Sequence, residues 1–360
     1  MKIGIITQPL SRNYGGILQN YALQQTLIKL GHTPYTFDLE CPFSWKFWAI
    51  SIVKNIIKCI IGRPFNFPQT IYRVRTQERI LRTFVDKNIS ITKPRTQSLN
   101  VSPILENNID ALIVGSDQVW RPQYNYNIAD MYLDFAKEQN VKRIAYAASF
   151  GTDEWEYTEE ETLVCRSLAK KFDAISVREK SGIYLCKKNL GVSAVHLIDP
   201  TMLLTADDYK KLLAHIPESK SEYLFAYILD QTEEKIEYVM RYAENLGLEF
   251  IIKGADTKLS DDDSIENWLA NFRDAKYVIT DSFHGSVFSI IFNKPFTALG
   301  NKTRGLSRFN TLLEMLSLED RLIDATENIA CSIALSKWSE VNTKINEYRK
   351  RSLDFLSTNL

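Results

Sequence analysis

The sequence predicts an α/β protein made of two successive halves, each a parallel sheet covered by helices. Three observations lead there. Short β-branched runs recur that are almost wholly apolar rather than alternating, as strands buried on both faces must be. Most of these runs are followed by a longer stretch with helical patterning. At 360 residues and 41.5 kDa, the chain exceeds what a single hydrophobic core usually organises, so two units of roughly 150 to 200 residues are expected.

Taken in order, KIGIIT (2–7) reads as a strand followed by a helix over 16–30. DALIVG (110–115) is a strand followed by a loop, KRIAYAAS (142–149) precedes a helix over 156–171, and AISV (174–177) precedes one over 179–189. In the second half EYLFAYIL (222–229), EFIIK (249–253) and KYVIT (276–280) lead into helices over 233–246, 264–274 and 283–293, and FTAL (296–299) adds another strand. The alternation breaks once, over about 40–108, in a segment rich in aromatic and basic residues. After Thr205 a short helix and a polar connector containing Pro217 mark a seam near 216–221. The expected layout is therefore a first domain over 1–217 with a helical insertion at about 42–108, a second over 218–335, and a last helix over 336–360 long enough to pack back across the seam.

Composition excludes several classes. With 45% hydrophobic and 24% charged residues, Gly 14 and Pro 11, the chain is neither collagen-like nor disordered. Its 44 basic and 44 acidic side chains cancel, so no global field draws it to nucleic acid, and any anion site must be local. Cys41, Cys59, Cys165, Cys186 and Cys331 are odd in number and lack a C-x-x-C pair, which points to a reducing cytoplasm and to no zinc cage. The four histidines are dispersed, and the run Asp261, Asp262, Asp263 reads as a solvated loop, so no metal is expected. MKIGIITQPL lacks a signal-peptide core. The window 45–61 has an amphipathic pattern, with Trp48, Ile52, Ile56 and Cys59 opposite Ser51, Lys54, Asn55 and Lys58. It reads as a helix packed on protein; peripheral contact with the inner membrane face is its alternative.

In open parallel sheets, ligands bind beyond the carboxyl ends of the strands, so the loops after strands carry the candidates. After the first strand, Asn13, Gly15 and Gly16 precede a helix, where backbone N–H groups and the positive dipole end can meet an anion or a sugar hydroxyl; a plain turn explains them equally well. This is not G-x-G-x-x-G, so no nicotinamide or flavin cofactor is expected. After DALIV, Gly115, Ser116, Asp117 and Gln118 suit a polyol, Asp117 is a candidate base or a helix cap, and Trp120 can stack on a sugar. Arg178 after AISV offers a two-point fork for a carboxylate or phosphate, or else pairs with Glu179. The sharpest signal is TDSFHG: His284, with Ser282 and Gly285, follows a core strand at a helix start, where an anion is favoured and where Asp281 can orient the imidazole. Lys302, Arg304 and Arg308 form a second cationic stretch, Arg308 at a helix start that can point inward.

Five of these segments, in this order, resemble the polysaccharide pyruvyl transferases: N-x-G-G-x-L-x-x-x-A-L with L-G-H (13–32), GSDQVW (115–120), SVRE (176–179), LIDPT (197–201) and TDSFHG (280–285). The likeness covers residue 1 to about 320. It implies two Rossmann-like domains in a glycosyltransferase B-like arrangement, with an active-site cleft between an acceptor-side first domain and a donor-side second. It further implies transfer of pyruvate from phosphoenolpyruvate, a co-substrate rather than a cofactor, onto a hexose of a surface polysaccharide or its precursor, free or lipid-linked, as a ketal. On that reading His284 is the acid or phosphate group, Asp117 assists the attacking hydroxyl and Arg178 holds the donor. Better-known relatives carry Arg two residues before this His, in R-L-H, where this chain has Ser282 and Phe283; Arg308, and more weakly Arg304, are the substitutes. A sugar-nucleotide glycosyltransferase on the same fold and a non-catalytic saccharide-binding subunit are the alternatives.

Overall fold

The computed structural model describes residues 1–40, 49, 52–53, 71–254, 260, 262–300, 306–323 and 337–360. The first half runs β1 (Lys2–Ile6), α1 (Tyr14–Lys29), β2 (Thr33–Thr36), α2 (Ile71–Asn88), α3 (Ser102–Asn107), β3 (Ala111–Val114), β4 (Lys142–Ala148), α4 (Glu159–Ala169), β5 (Ala174–Val177), α5 (Lys180–Leu185) and β6 (Val195–His196). Its six strands form one parallel sheet in the order β2-β1-β3-β4-β5-β6. A connecting helix, α6 (Ala206–Leu212), leads to β7 (Tyr223–Tyr227), α7 (Glu233–Leu246), β8 (Glu249–Lys253), α8 (Ile265–Asp274), β9 (Tyr277–Thr280), α9 (Phe283–Ile291), β10 (Phe296–Leu299), α10 (Ser307–Leu316) and β11 (Leu322–Ile323). These five strands form a second parallel sheet, β11-β10-β9-β7-β8, and α11 (Trp338–Asn359) closes the chain.

The central strands read directly from the sequence because both their faces are covered: every residue of β3, β7, β9 and β10 is buried. Helix starts follow capping chemistry. Thr158 with Glu161 and Thr205 with Asp208 close reciprocal boxes at α4 and α6, and α7 stops at Gly247, whose φ of 65° is the left-handed conformation glycine tolerates. Three strands the sequence reading lacked, β2, β6 and β11, lie at sheet edges and have four residues or fewer, too short to show a pattern. The long α2 falls in the segment where the alternation breaks. Apart from Ala49, Ile52 and Val53, the window 45–61 lies outside the described residues.

The two sheets share buried contacts. Tyr14 of α1 stacks on Trp268 of α8 with ring centres 5.3 Å apart, and its hydroxyl donates to the Asp263 carbonyl at 2.7 Å. Burial and the nearby Tyr227 and Asp263 push the Tyr14 hydroxyl pKa far up, so it stays a donor. Helix α11 touches both halves: Arg349 donates to the carbonyls of Met202 and Leu204, while Lys344 donates to Ser317. The carboxyl ends of both sheets meet at a cleft between the halves, the glycosyltransferase B-like layout the resemblance implies. Among the described residues no helix is long and apolar enough to cross a membrane, and no His, Cys, Asp and Glu cluster is arranged to hold a metal.

Candidate active site

A cavity of about 200 Å³ opens between the strand ends. From the first half its walls take Arg12 and Asn13 after β1, and Asp117, Gln118 and Tyr124 after β3. From the second they take Leu229 after β7, Ser282, Phe283 and His284 after β9, and Arg308 in the first turn of α10. The volume lies below the roughly 300–1,000 Å³ of sites for drug-sized ligands, which suits a small anion. Asn13, the residue before α1, and the first turn of α9 border it, so two helix N-termini add partial positive charge.

Beneath this wall lies a buried charge cluster centred on Asp199. Its Oδ2 accepts from Arg178 Nη1 at 2.7 Å and from Ser116 Oγ at 3.1 Å, and stands 3.6 Å from His284 Nε2. Its Oδ1 accepts from the Thr201 amide and hydroxyl at 3.0 and 2.7 Å. Burial by itself would raise this carboxyl's pKa, but His284, Arg178 and Thr201 outweigh it and hold the group well below the usual carboxylate range. Asp199 belongs to the LIDPT turn. The sequence flags that turn only as part of the resemblance and assigns it no role, because nothing local to LIDPT says that Arg178 and His284 will meet it.

Arg178 is placed differently from the expected donor clamp. Its side chain is 2% exposed and lies over the Phe283 ring, 4.6 Å from the ring centre, and it is not among the cavity's lining residues. It pairs with Asp199 and stands 3.6 Å from Asp117, not with Glu179. Glu179 is itself fully buried and accepts from Ser149 Oγ and from the Phe150 and Gly151 amides. Two Arg178 nitrogens, Nε and Nη2, are buried without a hydrogen bond. Arg308 does point inward: it is 7% exposed, lines the cavity, and lies 5.8 Å from the Phe283 ring centre. Burial first, then repulsion from Arg178, lowers its pKa to about 10. It remains charged at neutral pH. Lys302 and Arg304 lie outside the described residues.

Other candidates are sorted by their partners. Asp117 sits at φ 70°, an unfavourable backbone state for a non-glycine residue, and starts no helix; its Oδ2 accepts from Asn13 Nδ2 at 3.0 Å. Gln118 presses on Gly151, where a β-carbon would overlap its amide. Gly16 packs beside the Asn13 side chain. Ser282 caps its own helix by accepting from the Gly285 amide, and Gly285 is required because a β-carbon would overlap Thr280. Gly15 has a tertiary reason as well: a β-carbon there would overlap the His284 imidazole.

Three sequence expectations are corrected. Asp281 does not orient His284, since its oxygens accept from the Leu229 and Asp230 amides and from Lys235 Nζ at 2.6 Å. Trp120 cannot meet a sugar: it is fully buried, stacked on Tyr132 at 4.8 Å, with its indole N–H on the Met131 carbonyl. Asp263 is not solvated but buried, held by Lys253 and by Ser260. Arg12, unremarked in the sequence, enters only because the β1–α1 loop turns over the cavity.

The site lies between the strand ends of a two-unit α/β scaffold, where Arg12 and Arg308 stand among Asp117 and Asp281, and sequence comparison names the family. The profile described as polysaccharide pyruvyl transferase matches residues 13–303, and the chain belongs to that family. No curated protein matches the sequence. Similar solved structures include UDP-GlcNAc 2-epimerase of Methanocaldococcus jannaschii in complex with UDP-GlcNAc and UDP (11% identity, TM-score 0.44, covering 97% of this chain and 100% of that one). They also include Arabidopsis thaliana UGT89C1 complexed with UDP (10% identity, TM-score 0.48, 99% of each chain) and Acinetobacter baumannii MurG (7% identity, TM-score 0.44, 99% of this chain and 98% of that one).

Proposed function

We propose that the protein transfers pyruvate from phosphoenolpyruvate to a hexose of a surface polysaccharide or its precursor, closing a ketal on two of its hydroxyls. The observation that carries this is the small cavity in which Arg308, Arg12 and His284 converge with Asn13 before α1 and the first turn of α9. Phosphoenolpyruvate bears a carboxylate and a phosphate on one short skeleton, and it needs two adjoining anion-binding pockets within such a volume.

In the reaction the methylene carbon takes a proton and becomes methyl, a hexose oxygen bonds to C2, and the bond from C2 to the bridging oxygen breaks, releasing inorganic phosphate. The second hydroxyl then closes the ring. Of the two hydroxyl protons released, one balances that gained by carbon and the other leaves with phosphate. His284 acts as the acid, Asp117, oriented by Asn13, receives a hydroxyl proton, and Arg308 with Arg12 holds the donor. Arg178 supports the site from beneath Phe283 rather than by touching the donor. A wider groove of about 490 Å³ on the same seam, lined by Thr152, Asp153, Glu154, Lys180, Asn310 and Glu314, offers the hydroxyl-matching groups an acceptor needs.

Incubation with phosphoenolpyruvate and a series of hexosides, followed by phosphate release, tests this directly. Arg308→Met is expected to lose roughly 10- to 100-fold in kcat/KM, the worth of one or two charge-assisted hydrogen bonds. Release of a nucleoside diphosphate from UDP-sugars, with no phosphate from phosphoenolpyruvate, would move the protein to the glycosyltransferase alternative.

A further inference from the structure

We propose that Asp199 is a positioning residue for His284: its Oδ2 accepts a hydrogen bond from Nε2–H, leaving Nδ1 as the ring nitrogen that exchanges protons in the cleft. Assigning chemistry to Nδ1 rests on the reading above, whereas the proton arrangement itself does not. His284 Nε2 is buried, makes no hydrogen bond, and faces Asp199 Oδ2 at 3.6 Å. A buried ring nitrogen without a partner is costly, and the carboxylate is the acceptor beside it. Catalytic hydrogen bonds are often long before substrate binds and tighten in the substrate complex.

The carboxylate is well prepared for this task. Arg178, Ser116 and both donors of Thr201 fix it from the first half, while His284 arrives from the second. The carboxylate is therefore held in place while the imidazole faces it across the seam. The face of the ring, on its Nδ1 side, lies against Gly15 in the first turn of α1. Other charges bordering the cluster and cavity are Arg178 and Glu179 after β5, Arg308 on α10, Arg12 after β1 and Asp117 after β3. Asp281 after β9 is spent on Lys235 and two amides. None of these offers Nε2 a second described acceptor.

The test reads the ring directly. In full-length protein with isotope-labelled histidine nitrogens, four histidines give few signals, and the one lost in His284→Gln assigns the site. The expected neutral form carries its proton on Nε2; a proton on Nδ1 overturns the proposal whatever the activity. A kinetic readout accompanies it. Asp199→Asn should lower kcat on the order of 100-fold and move the pH limb that depends on His284. An unchanged limb in folded Asp199→Asn protein counts against positioning. If no donor is turned over while the ring shows Nε2–H, the positioning stands and the donor reading falls.

Discussion

Gly15 and His284 occupy the same point of the seam: the imidazole from the second half fills the space where a β-carbon on the first half's helix would stand. Glycine at 15 is a packing requirement between the two sheets. Its backbone sits in a regular helix with no left-handed angle to accommodate.

Gly15→Ala should therefore push the ring from its place. The expected cost is about 1–3 kcal/mol, as for other overpacked contacts, with loss of activity alongside. Removing the ring relieves the clash, so Gly15→Ala combined with His284→Ala should be more stable than the sum of the two single changes predicts. Chemical denaturation of all four proteins measures the coupling; additive effects would show that the two residues do not touch.

Asp281 and Lys235 form a second buried relationship, at 2.6 Å, that ties the start of α7 to the end of β9. Asp281→Ala leaves an ammonium and two amides without partners and should cost about 3–5 kcal/mol. Because both Asp281 oxygens are engaged away from the imidazole, the pH profile of any surviving activity should keep its shape. A profile shifted to match Asp199→Asn would restore Asp281 as the orienting group.

His196 makes acid stability predictable. Burial lowers its pKa to about 4, with Nε2 3.1 Å from the Arg178 carbonyl. Unfolded, the ring takes its proton near pH 6.5. Between those values the unfolded chain binds the extra proton, so stability is full above about pH 6.5 and is lost as pH falls towards 4. The loss attributable to this ring is up to about 3 kcal/mol at 1.4 kcal/mol per pH unit. His196→Gln should flatten that part of a denaturation series run from pH 7 to pH 4; an unchanged slope would assign the acid sensitivity elsewhere.

Central strands such as Ala111–Val114 and Tyr277–Thr280 were legible because a parallel strand covered on both faces must be apolar at every position, a property local to a few residues. The turns after them were legible for the same reason, and they supplied Asp117, His284 and Arg308. The edge strands Thr33–Thr36, Val195–His196 and Leu322–Ile323 were not, since a short edge carries no such constraint. Arg178 was found in the sequence but misplaced, because nothing local to SVRE says that Phe283, more than a hundred residues on, will cover it.

The sequence by itself determined two helix-covered parallel sheets, the loops that face the cleft, and the family. Only the tertiary structure decided which charges meet there. Asp199, Arg178 and His284 come from two loops and a helix start in two halves, and a charge–charge energy depends on separations and burial that no spacing along the chain records.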